Sequence, residues 1–286
     1  MEKQEIDQLT LDFDVDLPEN DAETVAEEVK KDIPEPLYFP EPGAKFKNDS
    51  CIEKPSVDAI LRMLDKGSYK AGRHAFLSDI FECGAIAISN QFDHTRSKER
   101  EERYLQIINN YDPYMRQLIV DIFHKIFKLL SQQINPSIGF SDYLGELYMK
   151  SETSNSKAGQ FFTPYNLSKS CAKMSINSDM VERYKSENKI ITINEPACGA
   201  GGMIIAAADI LYNEFDFNYS HNMMVYCSDI DARCVHMTYL QLSLAGIPAI
   251  ITRQNTLTME KWDQWETPAY IMQYLRFRDC LGGDKK

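Results

Sequence analysis

The stretch NEPACGAGGM, Asn194 to Met203, follows an isoleucine-rich run, KIITINEP, that reads as a strand. A glycine-rich turn at that place constrains the fold more than any other feature. It demands that a strand feed directly into a helix, and it lets a ligand approach the backbone without meeting Cβ atoms. Beyond it the pattern alternates: helix (GMIIAAADILYNEF), strand (MMVYCSDI), helix (DARCVHMTYLQLSLAG) and strand (PAIITRQN). Such alternation predicts a parallel sheet flanked by helices, with these strands side by side and a ligand site at their carboxyl ends.

Residues 56–150 have a different period. VDAILRML, HAFLSDIFECGAIAISNQF, SKEREERYLQIINNY and DPYMRQLIVDIFHKIFKLLSQQI space their apolar residues three and four apart, as amphipathic helices do. Asp112 before Pro113 marks a helix start, and SDYLGELYMKS after NPSIGF reads as a short helix capped by Ser141 or Asp142. Lys98, Arg100 and Arg103, interleaved with Glu99, Glu101 and Glu102, read as a solvated helix face. The organisation expected is an acidic, disordered leader over residues 1–45, a helical domain over 46–150 and an α/β domain over 151–286. The leader follows from composition: residues 1–42 hold 14 acidic residues against three lysines, with five prolines, whereas the whole chain carries a net charge of −12. Within it LTLDFDVDL alternates apolar and acidic residues, which suits either a solubilising leader, a docking strand or a mimic of phosphate charge. No apolar run reaches the length of a membrane span and the N-terminus lacks an apolar secretory segment, so a cytoplasmic protein is expected. Seven scattered cysteines without a Cys-x-x-Cys pair predict buried thiols rather than disulfides or a structural metal.

The glycine turn fits neither common phosphate site. A dinucleotide fingerprint needs a third glycine where Ile204 stands after Gly199 and Gly201, and a P-loop needs Gly-Lys-Ser or Gly-Lys-Thr, which does not occur. Glu195 at the end of the first strand repels phosphate and attracts a cation such as an ammonium or a sulfonium. Asp229 ends the second strand, where a carboxylate can accept from both hydroxyls of a ribose. Two strand-end acids and a glycine loop favour an amino-acid-bearing nucleoside, of which S-adenosylmethionine is the natural candidate.

On these motifs the chain resembles the adenine-specific DNA methyltransferases of the gamma arrangement, and most of all the modification subunits of type I restriction-modification systems. The resemblance rests on LGELYMKSETSNSKAGQFFTP followed by NEPACGAGGM, and it covers roughly residues 55 to 260. It implies a fold with a helical N-terminal domain followed by a partial, parallel-sheet, Rossmann-like methyltransferase domain, and S-adenosylmethionine as cofactor. It also implies that Phe161, Phe162, Thr163 and Pro164 close over the cofactor's methionine end, with Thr163 also placed to cap a helix beginning at Pro164. For Phe162 a packing role in a buried Phe pair stands beside cofactor contact. Glu195, Pro196, Ala197, Cys198, Gly199 and Gly201 match the cofactor loop, and Asp229 the ribose acid, with Asp231 left to cap the next helix. Asn255 stands where the family contacts the cofactor's adenine, and it reads equally as a turn residue.

The family's catalytic motif, Asn or Asp, Pro, Pro and an aromatic, does not appear: the sequence has no Pro-Pro dipeptide, and Asn135-Pro136-Ser137-Ile138 lacks both the second proline and the aromatic. No catalytic residue is therefore assigned. A parallel sheet of three or four strands leaves an apolar edge, to be covered by the aromatic C-terminal segment (Trp262, Trp265, Tyr270, Ile271, Tyr274, Leu275, Phe277) or by another chain, which makes a homo- or hetero-oligomer an expectation. Two functions follow. One is a methyltransferase-family protein that binds S-adenosylmethionine, does not methylate DNA alone and reaches DNA through a partner subunit. The other is a non-catalytic interaction or regulatory protein of a restriction, antirestriction or mobile-element system. The near-neutral body favours assisted over unaided DNA binding, which requires clustered positive charge.

Overall fold

A computed structural model describes residues 56–67, 72–135, 138–152 and 162–274. The acidic leader, most of the SETSNSKAG segment, Phe161, Pro136, Ser137, Leu275 and Phe277 lie outside the described residues.

Five helices come first: α1 (Val57–Gly67), α2 (Arg73–Ser89), α3 (Ser97–Ile108), α4 (Pro113–Ser131) and α5 (Tyr143–Glu152). Their apolar stripes meet in one core, with Ile60, Leu64, Phe76, Leu77, Ile80, Met115 and Ile122 almost fully buried. The start of α4 is set as the sequence predicts, since Asp112 Oδ1 accepts from Met115 N at 3.0 Å and Pro113 occupies the first turn. At the start of α5 the cap is Asp142, whose Oδ1 accepts from Gly145 N at 2.9 Å.

After α6 (Tyr165–Ser175) and α7 (Ser178–Ser186) the chain enters the α/β half. Its order is β1 (Ile191–Glu195), α8 (Gly202–Phe215), the one-turn α9 (Tyr219–Asn222), β2 (Met223–Asp229), α10 (Ala232–Leu244) and β3 (Ala249–Asn255). The three strands lie side by side in chain order and pair in parallel, Glu195 opposite Cys227 and Asp229 opposite Arg253. The parallel, helix-flanked sheet expected from the alternation is thus present. α10 is shared between the two halves: it packs on β2 and β3 and also on α2, α4 and α5, and every residue from Cys234 to Ser243 is buried.

The fourth strand is not visible in the hydrophobic pattern. β4 (Glu260–Glu266) has the sequence EKWDQWE and pairs antiparallel with β3, covering the sheet edge that the sequence left open. Only Trp265 is buried along it. What holds so polar a strand is the helical layer. Arg100 Nη2 donates to the Gln264 carbonyl at 3.0 Å and its guanidinium lies 4.2 Å from the Trp265 ring centre, while Arg96 pairs with Asp263. Thr267 closes the register, its hydroxyl accepting from Ala249 N at 2.9 Å.

Arg100 therefore corrects the reading of α3 as a solvated charged face. It is 5% exposed, bonded to Ser89 and paired with Asp93 at 2.7 Å. Burial pushes the Asp93 carboxyl upward, but hydrogen bonds from Thr95 and Arg100 outweigh it and hold the group below the ordinary carboxylate range. Arg100→Ala leaves Asp93 without its cation, and urea unfolding at pH 7 should record a loss of about 3 kcal/mol. A group with a depressed folded pKa loses its stabilisation as pH falls, so the gap between variant and wild type should narrow below about pH 4; a constant gap would contradict the pair's role.

Candidate functional site

The site lies where β1, β2 and β3 end together, as parallel pairing dictates. The turn after β1 is built by backbone geometry that glycine alone adopts freely. Gly199 has φ of 55° and Gly201 φ of 93°, so both are in the left-handed region, and Gly201 N donates to the Cys198 carbonyl at 2.7 Å to close the turn. Gly201 then precedes α8 directly.

Asp229 ties this turn to the next one. Its Oδ2 accepts from Gly199 N at 3.0 Å and its Oδ1 from Asp231 N at 2.9 Å. Burial pushes its carboxyl above the usual range, partly offset by these backbone donors. Glu195 is half-buried and its Oε1 accepts from Ala197 N at 3.1 Å. Cys198 is buried, with its N–H donating to the Ser228 carbonyl at 2.9 Å, whereas Pro196 and Ala197 face solvent. Asp231 caps α10 by accepting from Arg233 N at 2.9 Å, the role the sequence assigns it.

The FFTP segment meets the turn through Phe162. That ring is half-buried, sits 5.3 Å from the Tyr148 ring centre, and approaches to 3.0 Å of where a Cβ on Gly199 would be. Thr163 and Pro164 are exposed, and the cap expectation is corrected here: α6 begins at Tyr165, Pro164 holds the cap position, and no side chain makes a cap hydrogen bond. Pro164 itself has an extended backbone, with ψ of 137°, so the helix starts one residue later and Thr163 falls out of capping range. What anchors the segment is Tyr165, whose hydroxyl donates to the buried Asp209 of α8 at 2.8 Å, with Lys169 pairing to the same carboxylate at 2.9 Å.

Asn255 at the end of β3 acts in a turn: its Oδ1 accepts from Leu257 N at 3.0 Å and Thr258 N at 3.3 Å. Of the two readings the sequence left open, this is the one its contacts express. The structure thus gathers Glu195, Pro196, Ala197, Cys198, Gly199, Gly201, Asp229, Asn255 and Phe162 around the strand ends.

Several residues that shape the turn had no signal in the sequence. Ser228 accepts from Cys198, Thr238 Oγ1 donates to the Gly199 carbonyl at 2.8 Å, Thr256 Oγ1 donates to the Pro196 carbonyl at 2.8 Å, and Gln241 Nε2 donates to the Ala200 carbonyl at 2.6 Å. Thr238 and Gln241 lie inside an apolar-looking helix, where only the fold reveals that they face the turn.

The chemistry of this donor set suits a nucleoside carrying a cation. Two carboxylates face a turn whose glycines have no side chains, and an aromatic ring lies beside it; among the described residues no lysine or arginine is bonded to the turn. Asp229→Ala removes the acceptor from two loops at once. Amide exchange at Gly199 and Asp231 should speed up and the unfolding free energy fall by about 2 kcal/mol; unchanged exchange at Gly199 would contradict the bridge.

Residues 141–281 match the family described as N-6 DNA Methylase. No curated protein matches the chain. Among solved structures, the type I restriction-modification system methyltransferase subunit from Streptococcus thermophilus is similar, with 15% sequence identity and a TM-score of 0.37, over 73% of this chain and 41% of that one. The chain accordingly spans less than half the length of that subunit.

Proposed function

We propose that residues 141–281, which match the family described as N-6 DNA Methylase, belong to that family and that the turn after β1 is a binding site for S-adenosylmethionine. The observation that carries the reading is the Asp229 carboxylate bonded to Gly199 N, because it brings the glycine turn and a second-strand acid to one place. When bound, the cofactor supplies a methyl group on a sulfonium. The chain's own part is to bind and orient it: Gly199 and Gly201 admit it against the backbone, Phe162 offers a π face beside the turn, and Glu195 and Asp229 favour its positive charge. Asp229 can accept from ribose hydroxyls with the lone pairs not engaged by Gly199 and Asp231. Asn255 retains an amide donor towards an adenine edge while its oxygen holds the turn.

Methyl transfer to adenine requires acceptors for the amine protons and a ring to stack on the extruded base. The family's Asn-Pro-Pro-aromatic arrangement is not present in these 286 residues, so we assign them cofactor binding, with transfer to DNA depending on groups outside them, which an assembly with a partner would supply. Trp265 takes no part in such an assembly, being 3% exposed in the core. Of the described aromatic residues in the C-terminal segment, Trp262 and Tyr274, at 42% and 59% exposure, are open to a partner, and among the described residues no helix is long and apolar enough to cross a membrane.

Calorimetry should record S-adenosylmethionine binding that Gly199→Val weakens at least about tenfold, since valine is strained at this φ and its Cβ meets Phe162. Binding should also weaken as pH falls through the raised Asp229 pKa, because the protonated carboxyl no longer favours the cation. Labelled methyl should not reach DNA with this chain alone. Absence of binding would remove the cofactor assignment, and robust transfer would refute the division of labour.

A further inference from the structure

Beneath the glycine turn lies a buried polar connection that the cofactor-contact residues do not include. Gln241, in the last turn of α10, is fully buried, and both hydrogens of its carboxamide are used: Nε2 donates to Ala200 O at 2.6 Å and to Asp142 Oδ1 at 2.7 Å. Its Oε1 accepts from Leu144 N at 3.2 Å, which leaves only one orientation of the amide compatible with its neighbours. Asp142 is itself 7% exposed and also accepts from Gly145 N, and a Cβ on Gly202 would lie only 2.8 Å from its Oδ2. The carboxyl therefore caps α5 and at the same time sits on the first turn of α8.

We propose that Gln241 is a positioning residue for the glycine turn: aimed by Asp142, its amide holds the Ala200 carbonyl and locks the turn to the start of α5. The proposal rests on the cofactor reading only for its consequence in binding. Three segments far apart in sequence meet at one side chain, so lifting the first turn of α5 releases the Ala200 carbonyl and slackens the turn. Buried donors and acceptors left without partners make that release costly, which is why the connection fixes a single geometry. Burial pushes the Asp142 carboxyl upward, consistent with its dependence on the neutral amide of Gln241 rather than on a cation.

Two variants separate positioning from simple packing. Gln241→Glu removes both donors and sets a second carboxyl against Asp142 and Ala200 O. The reversed pair, Asp142→Asn with Gln241→Glu, restores a side-chain hydrogen bond between the two positions but not the donor to Ala200. In the ligand-free protein, hydrogen exchange at Gly199 and Gly201 should rise in both variants, while the reversed pair recovers part of the melting temperature lost by Gln241→Glu. With S-adenosylmethionine as the probe, affinity should fall about tenfold or more in both. Gln241→Glu should regain part of it as pH is lowered and a protonated Glu donates again. If the reversed pair restores normal exchange at the turn together with stability, or if exchange is unchanged in both variants, the positioning role is overturned. Failure of the wild type to bind S-adenosylmethionine would instead refute the cofactor reading, because the exchange measurement decides this inference without any ligand.

Discussion

Asp229 accepts one backbone hydrogen from the turn after β1 and one from the turn after β2, and the arrangement of the strand ends depends on that carboxylate. The parallel sheet brings the two turns close, but parallel pairing alone leaves their backbone donors unsatisfied at the strand ends. A single acceptor at the end of β2 serves both. Asp231 then continues the same economy by capping α10, so the chain leaves the site as a rigid helix rather than a loose loop. Two left-handed glycines are the local cost of bringing the backbone into reach of Asp229.

Around this centre the helical layer supplies constraints that the sheet lacks. α10 is shared by both halves, and through Gln241 it reaches from the glycine turn to the start of α5. At the far edge, Arg96 and Arg100 hold a strand that has almost no apolar character of its own. Both connections use buried or half-buried polar groups whose partners come from distant elements. Such connections contribute little net attraction but penalise every alternative register, because a broken one strands a buried charge or amide.

Much of this was legible from residue patterns. The three parallel strands, the helices before them, the glycine turn, the caps at Asp112 and Asp231 and the acid at Asp229 all express local rules: period, capping and strand-end placement. Where local rules fell short, a distant partner had changed a residue's meaning. Arg100 looks solvated on a charged helix and is buried beneath Trp265. EKWDQWE, part of the aromatic segment expected to cover the sheet edge, carries no strand signal of its own and is a strand because the β3 edge and two arginines receive it. Thr163 looks like a cap, yet Pro164 is extended rather than helical and the helix starts at Tyr165.

The sequence by itself determined the three parallel strands and the helices before and between them, and it determined that a glycine turn and two acids stand at the strand ends, because these follow from short-range periodicity and backbone freedom. Only the tertiary structure decided what holds that turn in place. Gln241 and Thr238 of α10, Asp142 at the start of α5 and Ser228 of β2 come together there from three separate parts of the chain, and their hydrogen-bonding value exists only once burial has removed water as a competing partner.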